Sequence, residues 1–163
     1  MGKIKFKMKF LDQFNKLKNI RYDSFKKTFE ICEKRNLKII VETGTSRGKI
    51  KFFFFKKHNW KDGMSTIMFA EYAKNKNGFL HTCDISKKNI NTAKIFTKKF
   101  SEYIDYNVVD SVSFLNKFSN KIDLLYLDSL DGHNSDMASR HQLEEIKSSL
   151  NKLHYDSLVL LDD

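Results

Sequence analysis

The chain has 163 residues, 40% of them apolar and 13% aromatic, with no proline and two cysteines. That length suits one domain able to bury a sheet between helical layers, and the composition excludes disulfide-stapled, fibrous and disordered classes. A formal charge of +10 raises the question of nucleic acid, but lysines are spread along the chain and arginine is confined to Arg21, Arg35, Arg47 and Arg140, so a solvated basic surface is expected ahead of a nucleic-acid site.

Lysine recurs every few residues from the N-terminus, so no signal region or membrane span is expected and the reading is of a cytoplasmic protein. Phe6, Phe10, Phe14, Leu17 and Ile20 follow one another at spacings of three and four, which predicts an amphipathic helix over 6–20. A basic amphipathic helix can also lie on an anionic surface or a partner, and that reading stands beside core packing. A second helix is predicted from Asp23 or Ser24 to about Asn36, burying Phe25, Phe29 and Cys32. Residues 1–36 thus read as a helical cap and 37–163 as the main domain.

From Leu37 the period changes. Apolar runs at Leu37–Val41, Phe79–Cys83, Tyr106–Val109, Ile122–Leu127 and Leu158–Leu161 predict strands. Helical stretches at Ser65–Lys74, Lys88–Phe100, Val112–Phe118 and Ala138–Leu153 lie between them. Alternation of this kind predicts an α/β fold, a doubly wound Rossmann-like parallel sheet of five strands in the order 3-2-1-4-5 with helices on both faces. Cys32 and Cys83 fall in these elements without metal-ligand spacing and are read as core. Ligands of such sheets bind at the carboxyl ends of the strands, where Glu42, Asp84, Asp110, Asp128, Asp162 and Asp163 fall.

Gly44 and Gly48 follow the first strand and Gly63 precedes the first sheet-covering helix, so backbone there can approach a ligand closely. The dinucleotide pattern G-x-G-x-x-G is absent, and Asp84 lies 40 residues beyond Gly44, which disfavours NAD. The charge of the strand ends points the same way. Two unit charges about 4 Å apart interact by roughly 4 kcal/mol at an effective dielectric of 20, so these acids repel a diphosphate and suit a cationic ligand.

The ordered set Val41-Glu42-Thr43-Gly44-Thr45-Ser46-Arg47-Gly48, Asp62-Gly63-Met64-Ser65-Thr66, His81-Thr82-Cys83-Asp84-Ile85-Ser86, Val109-Asp110-Ser111, Leu127-Asp128-Ser129 and Leu160-Leu161-Asp162-Asp163 resembles the class I S-adenosylmethionine-dependent methyltransferases, in their small-molecule and sugar O-methyltransferase-like branch. The resemblance runs from about Lys38 to the end of the chain. It implies that Glu42, Gly44, Thr45, Ser46 and Gly48 hold the methionine end of S-adenosyl-L-methionine, with Ser65 and Ile85 completing the cofactor set. It further implies that Asp84 takes the ribose hydroxyls and that Asp110 and Ser111 meet the adenine. Capping of the helices that follow is the alternative for Asp84 and Asp110, with the ligand role read ahead of it for both.

Methyl transfer to a small-molecule or sugar hydroxyl needs an aligned acceptor and help in losing its proton, from a base or from a divalent metal. Asp128, Asp131, Asp162 and Asp163 are candidates, and His141, followed by Glu144 and Glu145, is a second candidate base or acceptor-orienting group. His133 is read as a surface residue. In metal-dependent relatives an Asp after the fourth strand and an acidic pair after the fifth hold the ion, which implies Asp128, Asp162 and Asp163 as oxygen ligands for an ion such as Mg²⁺. A simple loop or capping role for Asp162 is the alternative.

Two features fit less readily. Phe52-Phe53-Phe54-Phe55, bracketed by Lys51 and Lys56, lies in a 16-residue connection read as having no regular element, either a lid over the cofactor or an aggregation-prone run guarded by its lysines. Relatives continue beyond the fifth strand, so the apolar run Leu158–Leu161 is expected to be an edge, either because the chain is truncated or because a partner covers it, as in a homo-oligomer. The other function classes are a methyltransferase fragment that binds the cofactor without turnover, and a basic RNA-binding or RNA-modifying protein.

Overall fold

A computed structural model describes residues 9–16, 19–46, 49–52, 55–58, 64–130 and 135–162. The first helical segment, α1 (Lys9–Asp12), ends at Asp12, and residues 13–16 are not helical where the apolar spacing over 6–20 predicts a continuous helix. Beyond it the chain turns, with Phe14 N bonded to Leu11 O, and the amide of Asn19 donates to Phe14 O at 3.0 Å. Asp and Asn side chains that bond nearby backbone compete with helix in this way. Leu11 and Phe14 remain in the core. The second helix, α2 (Tyr22–Arg35), starts without a side-chain cap and ends at Asn36 in the left-handed conformation.

Strand β1 (Ile39–Thr43) follows. Next come β2 (Lys49–Phe52) and β3 (Phe55–His58), an antiparallel pair forming a separate two-stranded sheet. This corrects the expectation of an irregular connection. The period-2 alternation Lys49-Ile50-Lys51-Phe52 carries the strand, and the Phe run masks it. Helix α3 (Ser65–Lys76) leads to β4 (Phe79–Asp84), and α4 (Lys87–Phe96), capped by Ser86, leads through a 3-10 segment at Lys98–Tyr103 to β5 (Ile104–Val108). The last elements are α5 (Ser111–Lys117), β6 (Ile122–Leu127), α6 (Ser135–Ser149) and β7 (Leu153–Leu161).

The main sheet is β5-β4-β1-β6-β7 with every pair parallel, the order 3-2-1-4-5 expected of its five strands. Its alternating residues face two cores. Ile40, Leu80, Leu124 and Tyr126 meet Phe25, Phe29 and Phe69 from α2 and α3, whereas Val41, Cys83, Leu125 and Leu127 meet Phe114 and Leu115 from α5. Phe69 and Tyr126 pack edge to face at 5.3 Å, as do Phe25 and Tyr126 at 5.5 Å, geometry favoured by ring quadrupoles. Both cysteines are buried and free.

At the opposite end of the sheet, Asp123 accepts from the backbone N–H of Lys38 at 2.6 Å and Ile39 at 2.8 Å and pairs with His154 at 2.8 Å. Burial alone would raise its pKa, but these bonds hold it below the usual carboxylate value. From β6 this acid anchors the backbone at the start of β1, and it has no place in the ligand cleft. Strand β7 stands at the edge of the sheet, with Val159 36% and Leu161 50% exposed. Among the described residues, no helix is long and apolar enough to cross a membrane.

Candidate functional site

Helices leave the sheet to opposite faces on either side of the β1–β6 junction, and the crevice at such a switch point is where doubly wound sheets take ligands. Gly44 stands there with φ +82, donating to Cys83 O at 2.8 Å, while Asp128 N donates to Thr43 O at 2.9 Å. A cleft of about 420 Å³ opens beside it, lined by Gly44, Asp84, Ile85, Asp110, Ser111, Ser129 and His141, among others. Five of the residues that the sequence assigned to the cofactor therefore meet in one place. Gly48 lies outside the described residues.

Beneath the cleft the loop after β1 is fixed to the head of α3. Glu42 is fully buried, and its carboxylate accepts from Ser65 Oγ at 2.6 Å, Thr82 Oγ1 at 2.7 Å and Thr66 Oγ1 at 2.9 Å. Burial pushes its pKa up to about 7, against the pull of these three hydroxyls. Ser46 joins the same network, with its N–H donating to Thr66 Oγ1 at 2.9 Å and its Oγ 2.7 Å from Ser65 Oγ. Ser46 Oγ also accepts from Thr66 N at 3.2 Å, satisfying one of the donors that every helix start leaves open. Glu42, Ser46 and Ser65 thus shape the loop from within.

Asp84 ends β4. Its Oδ2 accepts from Thr45 N at 3.2 Å, Thr45 Oγ1 at 3.0 Å and Asn89 Nδ2 at 3.0 Å, and its Oδ1 accepts from Ser86 N at 2.7 Å. The capping of α4 falls to Ser86, whose Oγ accepts from Asn89 N. Ile85, next along the chain, is 78% exposed, an apolar surface at the cleft. Asp110 does cap a helix: it accepts from Ser113 N at 2.8 Å, and that bond lowers its pKa. It lines the cleft as well.

His141 comes from α6 to the same wall, its Nε2 3.0 Å from Ser111 Oγ and 3.7 Å from Glu145 Oε1. Glu145 is fully buried and accepts from Ser129 Oγ at 2.7 Å. The chain Ser111–His141–Glu145–Ser129 ties the start of α5 to the loop after β6.

Asp128 and Asp162 meet on the other side of the junction, with Arg21. The guanidinium Nε of Arg21 lies 2.5 Å from Asp162 Oδ1. Burial raises the pKa of Asp128, and the charges of Asp162 and Glu42 raise it further. Tyr126 Oη donates to Asp128 Oδ2 at 3.4 Å. A second, open cavity of about 630 Å³ is lined here by Arg21, Ser24, Phe25, Tyr126, Leu160 and Asp162, among others. Asp131, His133 and Asp163 lie outside the described residues. Among the described residues, no group of three or more His, Cys, Asp or Glu side chains is placed to hold a metal ion.

Sequence reasoning missed Arg21, Thr66, Thr82, Tyr126 and Ser129. Thr82 left a signal, a polar residue in an otherwise apolar strand position, and Arg21 left only the scarcity of arginine.

Residues 60–163 match the family of methyltransferase domains. No curated protein matches the chain. Among solved structures, the N-methyltransferase NodS from Bradyrhizobium japonicum WM9 is 15% identical, with a TM-score of 0.57 over 85% of this chain and 65% of its own. The SAH-bound methyltransferase PaMTH1 from Podospora anserina is 17% identical, with a TM-score of 0.60 over 93% of this chain and 61% of its own. An O-methyltransferase from Bacillus cereus in complex with SAH is 16% identical, with a TM-score of 0.59 over 95% and 63%. The chain thus spans less than two thirds of these three structures. With the family match covering more than half of its residues, and with the five-stranded order just described, the chain belongs to the methyltransferase domain family and has the fold of the class I S-adenosylmethionine-dependent methyltransferases.

Proposed function

We propose that the protein binds S-adenosyl-L-methionine in the cleft beside Gly44 and transfers its methyl group to a hydroxyl of a small-molecule or sugar acceptor. The observation that carries this reading is the convergence of Gly44, Asp84, Ile85, Asp110 and Ser111 on one cleft at the carboxyl ends of β1, β4 and β5. The residues fit the cofactor's chemistry. Backbone at Gly44–Ser46 can approach the amino-acid end closely, and the buried Glu42 adds negative potential beneath it. Asp84 Oδ1 accepts one hydrogen bond among the described residues, which leaves acceptor capacity for ribose hydroxyls. Ile85 offers an apolar face to the adenine, flanked by Asp110 and Ser111.

When bound, the cofactor supplies an electrophilic methyl group. The protein's part is to align the acceptor and remove its proton. Asp128 takes the base role, because its raised pKa suits proton abstraction near neutral pH and the second cavity opens beside it at Tyr126 and Asp162. His141 bonds Ser111 on the cofactor side, so its role is in binding rather than proton transfer.

A divalent ion such as Mg²⁺ fits the described residues poorly. Asp128 and Asp162 offer two carboxylates where such an ion takes six oxygens, and Asp162 is already paired with Arg21. Arg21 therefore supplies the positive charge at this point.

The reading is tested by titrating the purified chain with S-adenosylmethionine or S-adenosylhomocysteine. Binding with turnover of a hydroxyl acceptor pool supports it. Binding without methyl transfer to any acceptor would favour a chain that holds the cofactor without catalysis.

A further inference from the structure

On the wall of the cleft that α6 supplies, one buried group is only half satisfied. Glu145 is fully buried. Its Oε1 accepts from Ser129 Oγ at 2.7 Å, whereas its Oε2, equally buried, has no hydrogen bond among the described residues. A carboxylate withdrawn from water is costly unless donors or a cation face it. Within ion-pair reach is His141, one turn earlier on the same helix, whose Nε2 lies 3.7 Å from Glu145 Oε1 and 3.0 Å from Ser111 Oγ.

Both contacts involve Nε2, and together they fix where the imidazole proton sits. With the proton on Nε2, the ring donates to Ser111 Oγ and turns a partial positive charge to the carboxylate. With the proton on Nδ1, a lone pair on Nε2 would face the carboxylate instead, and two such acceptors repel in a buried site where charge is poorly screened. The Nε2–H tautomer is therefore the stable one. Nδ1 is left as an acceptor, and it makes no hydrogen bond among the described residues. The side chain is 32% exposed and lines the cleft with Asp110 and Ser111.

We propose that Glu145 is a positioning residue and that His141 is the group it positions. With its proton held on Nε2, His141 presents Nδ1 as an acceptor to the exocyclic amino group of the cofactor's adenine and so selects adenine over an oxopurine. The proposal rests on the reading that S-adenosyl-L-methionine occupies this cleft with its adenine beside Asp110 and Ser111. Ile85 can cover the face of the ring but cannot read its edge. Discrimination falls to the polar groups, of which Asp110 already caps α5 through Ser113 N. A site built to accept a hydrogen bond rejects an analogue that places a second acceptor there, because both groups are then left unpaired. A chain Ser111–His141–Glu145–Ser129 that only tied α5 to the loop after β6 would carry no such preference.

Two measurements on the full chain test this. Proton–nitrogen correlation spectra of the protein with isotope-labelled histidine, in mildly alkaline buffer where imidazole is neutral, should place the His141 proton on Nε2. Its signal is assigned by its absence in His141→Phe. Calorimetric titration with S-adenosylhomocysteine and with S-inosylhomocysteine, in which a carbonyl replaces the amino group, gives the discrimination. Wild type should bind the adenine form more tightly by about tenfold or more. His141→Phe, which keeps a ring at the wall, should lower that ratio by about the same factor. Glu145→Gln should lower it while moving part of the proton to Nδ1. A wild-type proton on Nδ1 overturns the proposal, and that reading needs no variant to fold. So does an unchanged ratio in His141→Phe, even with affinity for both ligands reduced, which would mark a structural chain. Binding of neither ligand by wild type would overturn the reading of the cleft and the proposal with it.

Discussion

Gly44 and Asp128 pass so close that a Cβ on Gly44 would stand 2.0 Å from the Asp128 carbonyl oxygen and 2.6 Å from its carbon. With φ at +82 as well, only glycine can bring the loop after β1 against the end of β6. Gly44→Ala is expected to destabilise the fold by about 2 kcal/mol or more and to weaken cofactor binding further, because the loop must move away from the cleft. Urea denaturation and calorimetric titration check the two effects. Wild-type stability in the variant would contradict the geometry.

Glu42 makes stability depend on pH. Its folded pKa of about 7 lies above the ordinary value of 4.5, so between these values the native state holds a proton that the unfolded chain has lost. Its contribution to stability is therefore fully present below about 4.5, declines as pH rises to about 7, and is gone above that. The loss is of order 3 kcal/mol. Glu42→Gln, which keeps an uncharged hydrogen-bonding group among Ser65, Thr66 and Thr82, should flatten the profile between those pH values. Unfolding free energies measured across that range decide it.

These two residues also show what the sequence disclosed. The order of strands and helices follows from apolar runs and acidic strand ends, and the cleft residues Asp84, Ile85, Asp110 and Ser111 are legible from their places at or just after strand ends. The burial of Glu42 was not legible. The apolar run suggested that the first strand ends at Val41, whereas β1 continues to Thr43, which draws Glu42 inside the sheet opposite Thr82. Register between distant strands leaves no local mark. The ion pair of Arg21 and Asp162 joins residues 141 positions apart, and no periodicity reports such a contact. The hairpin was hidden for a different reason, since four consecutive phenylalanines break the alternation that identifies a strand.

Asp128→Asn should lower kcat by about 10²–10⁴-fold, the range for loss of a positioned general base. KM for the cofactor and the melting shift produced by S-adenosylhomocysteine should change little. Steady-state kinetics against the methyl donor give the split, and full kcat in the variant would remove Asp128 from the mechanism.

The pairing of Arg21 with Asp162 predicts methyl transfer that is insensitive to chelator. Activity after dialysis against EDTA should match that of the untreated protein, and added Mg²⁺ should not raise it. A loss on chelation that Mg²⁺ restores would assign Asp128 and Asp162 to a metal instead.

The most direct test of the central claim is the thermal shift given by S-adenosylhomocysteine. At a hundredfold excess over Kd, the ligand should raise the melting temperature of the wild-type chain by roughly 5–10 °C. Asp84→Ala should remove the shift and Asp84→Asn should reduce it. The same shift in all three proteins, or none in the wild type, would contradict cofactor binding at this cleft.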